Sequence, residues 1–258
     1  MTSSAFETIA PDSVVYLDRL AATGLGRAYK SRMLDELGLR PGHTVLDLGC
    51  GPGTDLGTLA EAVTAAGEVI GVDHDQAAVD TAEQRTLGLH TVTVRRGDIH
   101  DLPLPDRTAD RARTDRVLQH ITDPVRALHE IRRVLRPGGR LVMGEPDWDT
   151  LTVDHPESGL SRAYTQYVTD EVIRNARIGR QLARLSTEAG FTVPTVVPVT
   201  SVFRDVRAAD RILGLERTTR RAVAAGYFTE EGARGWLHHL ASGPFLAAMT
   251  LYIVVAES

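Results

Sequence analysis

The sequence predicts an α/β fold, a doubly wound sheet with helices on both faces and added helices in its second half. Three observations carry this: short apolar runs alternate with helical periodicity through the first 146 residues, one such run opens into a glycine cluster, and successive runs close on an aspartate.

A helix over residues 31–39 ends at Pro41-Gly42, and Thr44–Leu48 reads as a buried strand entering the glycine cluster. The order then expected is helix 54–66, strand 68–73, helix 75–87, strand 91–96, strand 110–114, helix 124–135 and strand 140–145. Asp123-Pro124 supplies an N-cap and a first-turn proline for the last of these helices, and Arg136-Pro-Gly-Gly139 stops it. Strand–helix alternation of this kind gives parallel pairing. Beyond it, residues 157–189 are polar and helix-prone, 195–203 read as a strand, 206–241 as helices and 246–256 as a final strand. No repeat or low-complexity linker separates the parts. We therefore expect one domain over 1–258: an N-terminal helical cover (1–40), a core (41–146), lid helices (147–190 and 206–243) and two late strands.

A hydrophobic content of 42% over 258 residues is enough for a buried core. The net charge of −5 lacks the basic excess that polynucleotide binding needs, so a small-molecule partner is expected and nucleic acid is not. Cys50 is the only cysteine, which excludes an internal disulfide and multi-cysteine metal sites and suits a reducing, cytoplasmic setting. The N-terminus lacks a cationic start followed by an apolar core, and the longest apolar stretch, 245–256, is too short to span a bilayer, so no membrane partner is expected. A homodimer through the lid helices is compatible with the sequence.

The segment Val45-Leu-Asp-Leu-Gly-Cys-Gly-Pro-Gly53 is a strand ending in an acid and a loop with glycine at alternate positions. Gly49, Gly51 and Gly53 allow a sharp turn and a close approach of backbone to ligand. A dinucleotide loop would carry glycine or alanine at position 54, where this chain has Thr54. Val69–Asp73 places a second strand-end carboxylate at ribose-binding spacing, and Arg96-Gly-Asp-Ile99 a third. The alternatives are solvated or turn-stabilising roles for Asp73 and Asp98.

Together with Val117-Leu-Gln-His120 and Ile131–Gly139, these motifs resemble class I S-adenosylmethionine-dependent methyltransferases, in particular the ubiquinone and menaquinone biosynthesis methyltransferase-like group, over about residues 30–146. The resemblance implies a Rossmann-like sheet of about seven strands with an antiparallel last strand. It implies S-adenosylmethionine as cofactor, held by Asp47 near the amino group, the loop Gly49-Cys50-Gly51 with Gly53, Asp73 at the ribose with His74 beside it, and Asp98 and Ile99 at the adenine. Thr114 joins that set, and Arg32, on the N-terminal cover, would pair with the cofactor carboxylate.

His120 follows strand four, where the resembling group keeps residues near the transferred methyl; it is the candidate general base, the alternative being a cap or packing residue. Tyr16 and Trp148 are candidate substrate contacts, with lid packing as the other reading of Trp148. Arg174, Arg177, Arg180 and Arg184 form either an anion-binding helix face or a solvated one. Asp115, Glu145, Asp147 and Asp149 are the only acids near enough in sequence to suggest a metal, and no metal site is expected. A short-chain dehydrogenase needs Tyr-x-x-x-Lys, whereas Lys30, the sole lysine, follows Gly26. The expected activity is methyl transfer to O, N or C of a small molecule, in keeping with secondary metabolism. The alternative is a cofactor-binding cyclase or scaffold that transfers no methyl.

Overall fold

The computed structural model describes residues 13–258, with a few side chains near the start, that of Tyr16 among them, outside the described set. Seven strands form one sheet: β1 (Thr44–Leu48), β2 (Glu68–Asp73), β3 (Val92–Arg96), β4 (Ala109–Asp115), β5 (Leu135–Val153), β6 (Thr192–Phe203) and β7 (Ala247–Glu257). Their spatial order is β3-β2-β1-β4-β5-β7-β6, parallel from β3 to β5, with β7 antiparallel to both β5 and β6. The order reverses between β1 and β4, so a crevice opens at the carboxyl ends of these two central strands, where ligands of open α/β sheets bind.

Alternation along the strands sorts the core into two layers. Val45, Val69, Val142 and Ile253 face α2 (Gly24–Leu37) and α3 (Leu56–Val63). Leu46, Ile70, Ala112 and Leu141 face α5 (Pro124–Val134) and α7 (Ile178–Glu188). The remaining helices in chain order are α1 (Ser13–Ala22), α4 (Gln76–Arg85), α6 (Ser158–Tyr167), α8 (Val206–Leu213), α9 (Leu215–Ala224) and α10 (Glu230–Ser242). A third apolar cluster joins α6 and α8–α10 to the far end of β5: Tyr164 and Trp236, both fully buried, stack at 5.6 Å, and Phe228 and Trp148 pack with them.

The cap expected at Asp123 forms, and the structure adds one at Asp75. Asp123 accepts a hydrogen bond from the Arg126 amide at 3.0 Å ahead of Pro124, and Asp75 caps α4 through Ala77. Three segments differ from the sequence expectation. α2 runs from Gly24 to Leu37 rather than over 31–39, since Thr23 caps it by accepting from the Gly26 amide. β5 runs from Leu135 to Val153 rather than over 140–145, because β7 pairs with it antiparallel over 140–147 and again at 152–153, while Leu135 pairs with Ala109 of β4. The helix-prone stretch 157–189 is interrupted, since α6 passes into a π-helical turn at Val168–Val172, after which an extended Ile173 and a turn over 174–177 lead to α7. No helix among the described residues is long and apolar enough to cross a membrane.

Candidate active site

The crevice holds two adjoining hollows that share Gly49, a smaller one against α2 and a larger one between β2, β3 and the segment after β4. Three consecutive strand ends shape it. Asp47 is buried at the end of β1. Asp73 accepts from the Gly51 amide at 2.8 Å and the Asp75 amide at 3.0 Å, tying the glycine loop to β2. Asp98 is exposed and accepts from the His100 amide at 2.9 Å; that bond and the His100 ring hold its carboxyl below the usual range.

Gly49 shows why the loop carries glycine. Its φ is +71°, and a Cβ there would stand 2.4 Å from Val117 Cγ2 on the loop that leads to His120. Gly49→Ala therefore adds a left-handed strain of about 1–2 kcal/mol to an overpacking cost of similar size. A lowered melting temperature and a weakened S-adenosylhomocysteine affinity by calorimetry are the expected results.

The hollow against α2 contains a charge cluster. Arg113 projects from β4 with 1% exposure and meets three carboxylates: Asp47 at 3.4 Å, Asp55 at 3.0 Å and Asp115 at 3.2 Å. From α2, the Lys30 ammonium pairs with Asp55 and lies 3.1 Å from Asp115, to which the Tyr29 hydroxyl donates at 3.2 Å. Burial opposes both cations, but the surrounding carboxylates outweigh it and hold Arg113 and Lys30 above their ordinary pKa values. Asp55 is likewise disfavoured by burial, yet Arg113 and Lys30 keep it low. Asp47 goes the other way: full burial pushes it up to about 6 in spite of Arg113. Arg113 Nε and Nη1 and Asp115 Oδ1 remain buried without a hydrogen-bond partner. Donors and an acceptor thus stand unused in one hollow, where Asp47, Asp55 and Asp115 face Lys30, Arg113 and Arg116. That pattern fits a zwitterionic amino-acid group.

The larger hollow is lined by Asp73, His74, Asp98, Ile99 and His120. The His120 ring sits at its surface, yet burial first and the Arg116 charge second lower its pKa below the ordinary histidine value. It is therefore neutral at neutral pH and able to accept a proton. Cys50 lines the other hollow, and burial, then the charges of Asp47 and Asp73, push its thiol pKa far up, so it serves as an unreactive wall.

A family model described as a methyltransferase domain matches residues 39–189, more than half of the chain. The chain belongs to the methyltransferase-domain family. A protein of a Streptomyces fradiae transposon, described as uncharacterized, is 62% identical over 258 residues, all of this chain and 75% of that protein. The 2-phytyl-1,4-naphtoquinone methyltransferase of Synechococcus elongatus is 34% identical over 181 residues, 69% of this chain and 74% of that one. Among solved structures, the 4+2 cyclase SpnF superposes with a TM-score of 0.57 at 22% identity, covering 90% of this chain and 80% of that one, a likeness of fold.

The cofactor of this methyltransferase family is S-adenosylmethionine, and the unused donors and acceptor at Arg113 and Asp115 fit its amino-acid end. Of the residues expected at the cofactor, the crevice brings together Asp47, Gly49, Cys50, Gly51, Asp73, His74, Asp98 and Ile99. Gly53 supports the loop from behind, packed against Ala82. Thr114 is wholly buried and does not line either hollow. Arg32 is not brought to the crevice: α2 buries Tyr29, Met33 and Leu37, Lys30 flanks that face on the cleft side, and Arg32 flanks the other side, exposed and paired with Glu36 at 2.6 Å. Lys30 is the cation that α2 brings to the crevice.

Trp148 packs into the third apolar cluster, its indole donating to Gln119 at 2.7 Å, and does not line the crevice. Tyr16 lies in α1 with its side chain outside the described set. The arginines weighed as an anion-binding face are partly committed: Arg180 pairs with Asp147 and Asp149, Arg177 with Asp149 and Arg184 with Glu188. No group of three or more metal-ligating side chains occurs among the described residues.

Proposed function

We propose that this methyltransferase moves a methyl group from S-adenosylmethionine to an O, N or C atom of a small organic acceptor, with His120 as the general base when the acceptor arrives protonated. The observation that carries the reading is the shared wall: His120 borders the same hollow as Asp73 and Asp98, next to the Arg113-centred cluster across Gly49. The cofactor supplies an activated methyl group. The protein's own work is to hold and orient: Asp73 for the ribose, Ile99 and Asp98 for the adenine, Arg113, Lys30 and Asp47 for the amino-acid end. Alignment of this kind contributes roughly 7–11 kcal/mol in favourable cases.

The small acceptor is supported by the kinship with a quinone methyltransferase and by the net charge of −5, which disfavours a polynucleotide. Helices α1, α2 and α6–α10 form the cover in this reading, a single-domain arrangement with an elaborate lid that suits secondary metabolism. A reducing, cytoplasmic setting agrees with one buried thiol.

The test has two arms. Calorimetry should detect S-adenosylmethionine and S-adenosylhomocysteine binding; no heat for either would end the proposal. Methyl-labelled cofactor with quinols, phenols and amines should then yield S-adenosylhomocysteine, and His120→Gln should lower that rate by about a hundredfold or more with cofactor affinity unchanged. Binding without turnover on any acceptor would favour a cyclase or scaffold.

A further inference from the structure

Glu145, at the carboxyl half of β5, is wholly buried, and one of its oxygens accepts from the amides of Val117 and Leu118, both at 2.7 Å. The carbonyls of the same loop are held from the opposite side. After the π-helical turn, the chain runs extended through Ile173, whose φ is −110° and ψ 116°, and brings Asn175 against the loop. Its side-chain amide donates to the carbonyls of Leu118 and Ile121, both at 2.8 Å, and its backbone amide donates to that of Gln119 at 3.0 Å. These three carbonyls bracket His120. The Gln119 side chain completes the tie, accepting from the Trp148 indole at 2.7 Å and donating to the Arg116 carbonyl at 3.2 Å, while the Trp148 amide donates to the Ala176 carbonyl at 2.8 Å. A turn between helices would ordinarily be solvated; here Asn175 spends its side-chain and backbone amides on one neighbouring loop. π-helical turns recur at functional sites, and this one sets the register that delivers Asn175.

We propose that Asn175 is a positioning residue that locks the His120 loop to the α6–α7 cover, so that the cover fixes where the His120 ring stands. The inference rests on the role given to His120 above, but its test does not require an acceptor. Asn175→Ala removes the two side-chain bonds and keeps the backbone amide that reaches Gln119. Two carbonyls lose their partner, and the loop gains the freedom to swing.

Hydrogen exchange of the Val117, Leu118 and Gln119 amides should speed up by about tenfold or more in Asn175→Ala, with the rest of the sheet unchanged. The His120 ring, assigned by the signal lost in His120→Gln, should titrate below the ordinary histidine value in the wild type, under burial and the Arg116 charge, and move back toward it in the variant. S-adenosylhomocysteine affinity should stay within about twofold, because none of the cofactor residues is touched. Trp148→Phe, which deletes the indole donor and trims the ring but keeps an apolar aromatic in the cluster, should shift both readouts in the same direction by less, and stands in if Asn175→Ala does not fold. Arg174→Ala, an exposed neighbour, should leave them still.

Unchanged exchange and an unchanged His120 titration in the folded variants would overturn the proposal. A parallel loss of S-adenosylhomocysteine binding would also overturn it, since Asn175 would then serve the cofactor site. If the wild type binds no S-adenosylhomocysteine, the methyltransferase reading falls while the exchange and titration data still judge the lock.

Discussion

Arg113→Leu is expected to destabilise the protein by about 3–5 kcal/mol and to abolish measurable cofactor binding, because it removes the central cation from a buried cluster. Leucine fills much of the same space, so the loss is electrostatic rather than a cavity. Asp55 and Asp115 would keep Lys30, whereas Asp47 would lose the cation it meets. Asp47, which meets Arg113 at 3.4 Å and is 4% exposed, would then stay protonated at neutral pH. Arg113→Lys separates charge from shape: one ammonium cannot face three carboxylates as the guanidinium fork does, so an intermediate loss is expected. Denaturant unfolding reads the stability change and calorimetry with S-adenosylhomocysteine the affinity. A stability change under about 1 kcal/mol would show that water, not Arg113, neutralises these acids.

How this cluster escapes a reading of the sequence is instructive. The glycine loop and the three strand-end aspartates are local signals: each is a short run whose residue types state its conformation and its ligand-facing end. The Arg113 cluster is assembled from α2, β1, the glycine loop and β4, and its members stand 25 and 58 residues apart in two of the pairs. One local signal was present. In Ala109–Asp115 the alternation puts Arg111, Arg113 and Asp115 on one face and small residues on the other, and a buried central strand that carries an arginine requires counter-charges nearby. Arg32 and Lys30 illustrate a different limit. Both sit on the expected helix, and only the helix phase, fixed by Tyr29, Met33 and Leu37, decides which cation meets the crevice. Trp148 and β5 illustrate a third: the pairing of β5 with β7 out to Val153 delivers Trp148 to an apolar cluster formed by helices far along the chain.

Glu145 sets a second large expectation, a folding stability that falls as pH rises. Burial pushes its carboxyl from the ordinary range up to about 8, and the amides of Leu118 and Val117 only partly offset this. Hydrogen-bond geometry agrees with a neutral acid: one oxygen takes both short amide bonds, while the other lies 3.4 Å from the Gln119 amide and is free to carry the proton. Between the unfolded value and about 8 the folded chain holds a proton that the unfolded chain releases, so stability is full below the lower limit and declines through the window. Asp47, raised to about 6, adds a smaller decline at the acidic end. Each unit of displacement is about 1.4 kcal/mol, so the loss from pH 5 to 8 amounts to a few kcal/mol. Glu145→Gln is the matching control. Its carbonyl oxygen can keep both short amide bonds, it cannot ionise, and it should flatten the upper part of the pH–stability curve while leaving the Asp47 limb in place. Denaturant melts across this range decide the matter: a wild-type curve that rises from pH 5 to 8, or a Gln variant with the same slope as the wild type, would mean that Glu145 is ionised in the folded protein and that the three amides outweigh its burial.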